Sequence, residues 1–198
     1  AFTGGIVGRR RSTVSGQSWQ ESEAVVAVSV LIPTYNCAGL LERAIRSVAA
    51  QTVAASCAIE VVVVDDGSGD DTAQRVGGLQ RSLPIPIRYL RQDNAGPAAA
   101  RNRALEHAGG ELVAFLDADD RWAPTKLEAQ LPLFARDAVG LVYCDVAFVD
   151  AGGNPIADYG RRIRIVEGDI VLPLFLDFFL LTSAVVMRRS LAEREHGF

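Results

Sequence analysis

LVAFLDADDRW, Leu112 to Trp122, is the stretch from which the rest of the chain can be read. Its first five residues, Leu112 to Leu116, are apolar and lie between a Gly pair and an acidic cluster, the pattern of a short buried strand. Side chains alternate along an extended segment, so the spacing predicts Asp117 and Asp119 on one face and Ala118 on the other. Two carboxylates held side by side repel each other. A hard divalent cation, Mn²⁺ or Mg²⁺, relieves that repulsion through oxygen ligation, and a phosphate can supply the remaining ligands. The competing reading makes DADD a solvated turn capping the next helix, since Asp is favoured in turns and at N-caps.

Composition narrows the classes. The 198 residues allow one sizeable core, and 49% hydrophobic residues with a net charge of −4 fit a soluble globular protein. Lys and Arg are outnumbered by Asp and Glu and form no patch interleaved with aromatics, which argues against nucleic acid as a partner. Cys37, Cys57 and Cys144 are odd in number and lack C-x-x-C spacing, so neither a disulfide framework nor a zinc site is indicated, and a reducing cytoplasm suits them. Residues 1–27 carry no apolar run of signal-peptide length and read as a flexible leader or expression remnant ahead of a domain at 28–198. Arg9 to Arg11 read as a solvated run. Ile170 to Met187 is strongly apolar, but Pro173 and Asp177 interrupt it, and a membrane span needs about 20 mostly apolar residues. It reads as a buried helix leading to a strand, with peripheral contact at the inner face of a membrane left open.

Upstream, strands and helices alternate. Val28 to Ile32 is a β-branched run that stops at Pro33, and Asn36 is placed to cap a helix over Leu40 to Gln51. Ile59 to Val64, Thr72 to Gln80, Ile87 to Leu90 and Ala98 to His107 continue the series, the last opened by Asn94-Ala95-Gly96-Pro97 and stopped by Gly109-Gly110. Pro124 starts a helix through Ala135, and Val139 to Cys144 gives a fifth strand. The fold class is therefore α/β, a mainly parallel central sheet with helices on both faces and a Rossmann-like nucleotide-binding half. In open sheets of this kind ligands bind beyond the carboxyl ends of the strands, where Pro33 to Asn36, Asp65 to Ser68 and Asp117 to Asp120 all fall.

The loops after the strands exclude several chemistries. There is no G-x-G-x-x-G after the first strand, no Walker-type phosphate loop and no G-x-S-x-G elbow. Asp65 or Asp66 can accept a hydrogen bond from a ring N–H of uracil, thymine or guanine, and a cation at Asp117 and Asp119 can hold a diphosphate. A nucleotide-diphosphate sugar uses both.

Four blocks, VSVLIPTYN at 28–36, VVVVDDGSGDDT at 61–72, QDNAGPAAARNRAL at 92–105 and FLDADDRW at 115–122, resemble the family 2 glycosyltransferases of GT-A fold. The resemblance implies a cytoplasmic, metal-dependent, inverting transfer from a nucleotide sugar, commonly a UDP-sugar, to a saccharide, lipid-linked or other hydroxyl acceptor. It implies nucleotide contacts at Pro33, Tyr35, Asn36, Asp65, Asp66, Arg101, Asp117 and Ala118, and metal ligation by Asp119 with Asp117. Asp120 and Trp122 would support the site, and Thr182 and Ser183 would lie on the acceptor side. Inverting transfer also needs a general base. The family's acidic block for that role is expected beyond Phe198, so the catalytic base is unassigned and the domain is expected to lack the C-terminal part of its acceptor side. Asp145 and Asp150 read as turn residues, and His107 and His196 as unpartnered surface residues. The alternatives are a nucleotide-sugar-binding module without turnover and a sugar-phosphate nucleotidyltransferase.

Overall fold

The computed structural model describes residues 27–150, 154, 156, 168 and 181–194. All but the last residue of the expected leader over 1–27, most of the expected helix after Ile170, and His196 lie outside the described residues. The described chain forms β1 (Val28–Thr34), α1 (Ala38–Ala49), β2 (Ile59–Asp65), α2 (Thr72–Ser82), β3 (Ile87–Arg91), α3 (Gly96–Glu106), β4 (Leu112–Phe115), α4 (Lys126–Gln130), β5 (Leu141–Tyr143), β6 (Val185–Arg188) and α5 (Arg189–Arg194). The strands form one sheet in the order β3-β2-β1-β4-β6-β5. The first four are mutually parallel, while β6 runs antiparallel to both β4 and β5.

Period-two alternation sorts the strand residues onto two faces. Val28, Val30, Ile32, Val61 and Val63 pack with Leu41, Ile45 and Val48 of α1, Val76 and Leu79 of α2 and Leu127 of α4. Leu31, Val62, Val64, Val113 and Phe115 pack on the other face with Ala100, Ala104 and Leu105 of α3 and Ala192 of α5. Both faces are covered, which is why β1 and β2 are apolar almost throughout rather than alternating.

Three local expectations are corrected. β1 does not stop at Pro33 but runs through it to Thr34, paired with Val64 and Asp65. Leu31 turns its carbonyl to Leu116 of the β4 side, whereas Thr34 turns its carbonyl to Asp66. By that alternation the N–H that Pro33 lacks would face beyond the end of the β4 pairing, where no ladder needs it. Asn36 does not cap α1. It adopts φ 49° and its Oδ1 accepts from Gly69 N–H at 2.7 Å, while the first amide of α1, Ala38 N–H, donates to Asp70 Oδ2 at 3.1 Å. The helix expected from Pro124 to Ala135 is two pieces, α4 and a 3₁₀ segment at Leu131–Ala135, because Pro132 has no N–H with which to continue the α ladder.

The candidate nucleotide-binding cleft

The carboxyl ends of β1, β2 and β4 open into one cleft of about 590 Å³. Pro33, Tyr35, Asp66, Arg101, Asp117, Ala118 and Asp119 all line it, joined by Thr34, Cys37, Leu40 and the first turn of α3. Tyr35 stands 53% exposed at the rim with Leu40 beside it. Asn36 and Asp65 are not brought to the lining. Asn36 stitches the first loop to the second, its own N–H donating to Ser68 Oγ at 2.9 Å as its side chain holds Gly69.

Asp65 and Asp66 are adjacent in sequence and serve opposite ends. Asp65, fully buried, accepts from Ser68 N–H at 2.7 Å, the Tyr89 hydroxyl, and Arg91 at 3.3 Å. Burial, and then the bond to Asp65, push the Tyr89 phenol up to about 12. Asp66 instead closes the N-terminus of α3. Its Oδ1 accepts from Gln92 Nε2 at 2.7 Å and Ala95 N–H at 2.9 Å, and its Oδ2 from Gly96 N–H at 2.8 Å. Gly96 presents that amide from φ 89°, a left-handed backbone that suits glycine. Burial acts to raise the Asp66 carboxyl, but the Ala95, Gln92 and Gly96 donors outweigh it and hold it below the usual carboxylate range. One acceptor position remains on Oδ2 once these three bonds are counted.

The acidic loop is a turn rather than an extension of the strand. Asp120 N–H donates to the Asp117 carbonyl at 3.0 Å, so Asp117 and Asp119 reach the same cleft by chain reversal and not by strand alternation. Asp117 Oδ1 pairs with Arg101 Nη2 at 2.5 Å. Asp119 is exposed, and its charge, after burial, helps push the Cys37 thiol up, leaving that thiol a poor nucleophile. Asp120, exposed and not among the lining residues, accepts a bond from Ser183 Oγ. Its carboxyl is raised, first by burial and then, against the Ser183 bond, by the Asp119 and Asp117 charges.

Ser183 is buried and its hydroxyl serves the acidic loop, while Thr182 beside it is half-buried. Asp145 and Asp150 make bonds close in sequence, accepting from Val146 N–H at 2.8 Å and Asn154 N–H at 2.9 Å. His107 is not an unpartnered surface residue. At the end of α3 it is half-buried, with Nδ1 2.9 Å from the Arg103 carbonyl of the preceding turn.

Among the described residues no group of three or more His, Cys, Asp or Glu side chains is placed to hold a metal ion. The donor set nevertheless fits a hard divalent cation: Asp117 and Asp119 both bring carboxylate oxygens to the cleft, which has room for further oxygens from a ligand. Sequence reasoning missed Thr34, Cys37, Leu40, Asn94, Gly96, Pro97 and Ala100 as lining residues. A signal is present for one of them, since Pro97 lies four residues before Arg101 and so shares its helical face at one-turn spacing.

A mainly parallel sheet whose carboxyl edge gathers an exposed Tyr, a helix-capping Asp and a two-carboxylate turn is an arrangement of GT-A type. The sequence profile of Glycosyl transferase family 2 matches residues 29–194, and the chain belongs to that family. It is 44% identical over 172 residues to an uncharacterised glycosyltransferase of Nostoc sp., covering 84% of this chain and 52% of that protein. It is 38% identical over 117 residues to the Escherichia coli UDP-Glc:alpha-D-GlcNAc-diphosphoundecaprenol beta-1,3-glucosyltransferase WfgD, covering 59% of this chain and 44% of that one. Among solved structures it resembles the mannosyltransferase PcManGT of Pyrobaculum calidifontis in complex with GDP-Man and Mn²⁺, with TM-score 0.67, 28% identity and coverage of 86% and 47%. It also resembles S. aureus TarS in complex with UDP, with TM-score 0.66, 25% identity and coverage of 85% and 48%. The chain thus spans about half the length of the relatives it matches. No helix among the described residues is long and apolar enough to cross a membrane.

Proposed function

We propose that this chain carries the donor-binding part of a glycosyltransferase that takes its sugar from a nucleotide diphosphate, a UDP-sugar, with a divalent cation, Mn²⁺ or Mg²⁺. The acceptor is a hydroxyl of a saccharide or lipid-linked saccharide, and the transfer inverts the anomeric centre. The carrying observation is the charge balance of the cleft: among the described residues that line it, three carboxylates, Asp66, Asp117 and Asp119, face one guanidinium, Arg101. The N-terminus of α3, otherwise a natural phosphate site, is already closed by Asp66. A diphosphate entering this space meets net negative charge, so a cation strengthens its binding.

Each lining residue then has a task. Tyr35 and Pro33 offer a flat apolar wall to the base, and the remaining acceptor position of Asp66 suits a ring N–H. Asp119, with Asp117, would hold the cation, and Arg101 stands across from Asp117 on the diphosphate side. The bound cation would supply charge stabilisation to the departing diphosphate. Support for the donor class comes from relatives that bind UDP, UDP-GlcNAc and GDP-Man, and for a lipid-linked acceptor from WfgD.

The test is a thermal-shift and calorimetry panel of UDP, GDP and dTDP with and without Mn²⁺, since a ligand of the native state raises its melting temperature. UDP with Mn²⁺ is expected to give the largest rise, and Asp119→Ala to abolish the metal-dependent part. If no nucleoside diphosphate shifts the melt with or without metal, the reading is wrong.

A further inference from the structure

Ser183 does not line the cleft, yet it holds the acidic loop at both ends. Its Oγ accepts the Asp117 N–H at 3.0 Å and donates to Asp120 Oδ2 at 2.5 Å. Its carbonyl accepts from Trp122 Nε1–H at 2.9 Å. Three residues of the Asp117–Trp122 segment are therefore fixed to one residue more than 60 positions later in the chain. Ser183 itself is 2% exposed, while the Asp120 that accepts its hydroxyl is exposed. A hydroxyl has one hydrogen, and that of Ser183 is given to Asp120, so none remains to donate to a substrate oxygen.

The segment is anchored from behind as well. Trp122 N–H donates to Ser47 Oγ of α1 at 3.0 Å, and the Trp122 ring lies under the Lys126 ammonium, 4.2 Å from its centroid. Ser183 itself lies in the one-turn 3₁₀ segment Thr182–Ala184 that leads into β6. The antiparallel pairing of β6 with β4 thus brings this hydroxyl beneath the end of the strand from which the acidic loop departs.

We propose that Ser183 is a positioning residue that fixes Asp117 and Asp119 for the divalent cation and diphosphate, and is not a contact to the acceptor. This rests on the nucleotide-diphosphate reading above. Without the hydroxyl, the Asp117 amide loses its acceptor and the Asp120 carboxylate its donor. The loop that presents Asp119 then loses both bonds to that hydroxyl and keeps the Asp120 N–H to Asp117 carbonyl bond, the Arg101 pairing of Asp117 and the Trp122 anchors.

The experiment compares Ser183→Ala, Ser183→Thr and Trp122→Phe with the wild type, titrating UDP without metal and Mn²⁺ into the UDP-saturated protein by calorimetry. Removing the support of a metal ligand typically lowers metal affinity about 10–100-fold. Ser183→Ala is expected to lose Mn²⁺ affinity by that order while metal-free UDP affinity holds. Ser183→Thr, which keeps the hydroxyl, recovers most of the loss. Trp122→Phe, which keeps the ring and removes the Nε1 donor, shows a smaller loss of the same kind and carries the test if Ser183→Ala fails to fold. Wild-type Mn²⁺ affinity in Ser183→Ala overturns the proposal, as does an equal fall in metal-free UDP affinity or a Thr variant as impaired as Ala. A wild type that binds no nucleoside diphosphate removes the nucleotide reading and this inference with it, whereas a wild type and Ser183→Ala that bind Mn²⁺ and UDP alike remove this inference alone.

Discussion

A carboxylate shut away from water must find its donors within the chain, and Asp65 finds them in Ser68, Tyr89 and Arg91. Tyr89→Phe removes one donor and leaves a buried acceptor short. The expected cost is about 1–3 kcal/mol, read as a lower denaturation midpoint at unchanged m-value. Nucleoside diphosphate affinity should hold, because neither residue lines the cleft. The sequence shows two aspartates after a buried run and leaves open which of them meets a ligand. Strand alternation sends them to opposite sides, but the choice of side is made by Tyr89 on β3 and by the amides at Ala95 and Gly96, roughly 25–30 residues onward. No local pattern at 61–72 contains that information. Asn36 escapes for a similar reason: its type and position suit a helix cap, and a cross-loop partner, Gly69, claims it instead.

Elements are joined at the amino edge of the sheet by a close approach that only glycine permits. A Cβ on Gly110 would lie 2.6 Å from the Ser29 backbone N and 2.8 Å from the Leu112 carbonyl, both main-chain atoms with little freedom to move. Its N–H donates to Ser29 Oγ at 2.8 Å, and Ser29 Oγ donates to Glu60 Oε1 at 2.6 Å, so the same spot ties β1, β2 and the approach to β4. Gly110→Ala is therefore expected to destabilise by about 3 kcal/mol. Gly109→Ala would meet only the end of the Glu60 side chain at 3.3 Å and should cost distinctly less. Equal melting temperatures for the two variants would show that the approach is not tight. A helix stop accounts for the place of the pair after α3 but not for its order. Strands and helices are legible because β1, β2 and β4 are continuous apolar runs and α1 has one clean apolar face. The reversal of β6 is not, since direction in a sheet depends on connections that a local run does not encode. The acidic loop shows the same limit: strand alternation puts Asp117 and Asp119 in one site, and it is a turn that brings them there.

Stability of the whole molecule should carry the mark of one buried cation. Lys126 is 4% exposed, donates from Nζ to Gln130 Oε1 at 2.6 Å, and is pushed down to about 8, chiefly by burial, from an ordinary value of 10.5. Below pH 8 the amine is protonated in both folded and unfolded chains and contributes no slope. Between pH 8 and 10.5 the unfolded chain binds a proton that the folded chain does not, so stability rises with pH, and above 10.5 the slope vanishes again. The full rise is on the order of 3 kcal/mol. Other groups oppose it in nearby windows. Burial raises the Cys37, Cys57 and Cys144 thiols, so the folded chain keeps protons that the unfolded chain loses above pH 9, and Tyr89 does the same between pH 10 and 12. The raw stability curve is a sum of these, and the Lys126 part is isolated by subtracting Lys126→Met, measured by urea unfolding at intervals from about pH 7 to 10.5. Wild type minus variant should climb with pH. A difference that stays flat across that interval would mean that Lys126 keeps its proton in the folded chain through contact with the Trp122 ring and Gln130, and that the back of the acidic loop carries a full positive charge throughout.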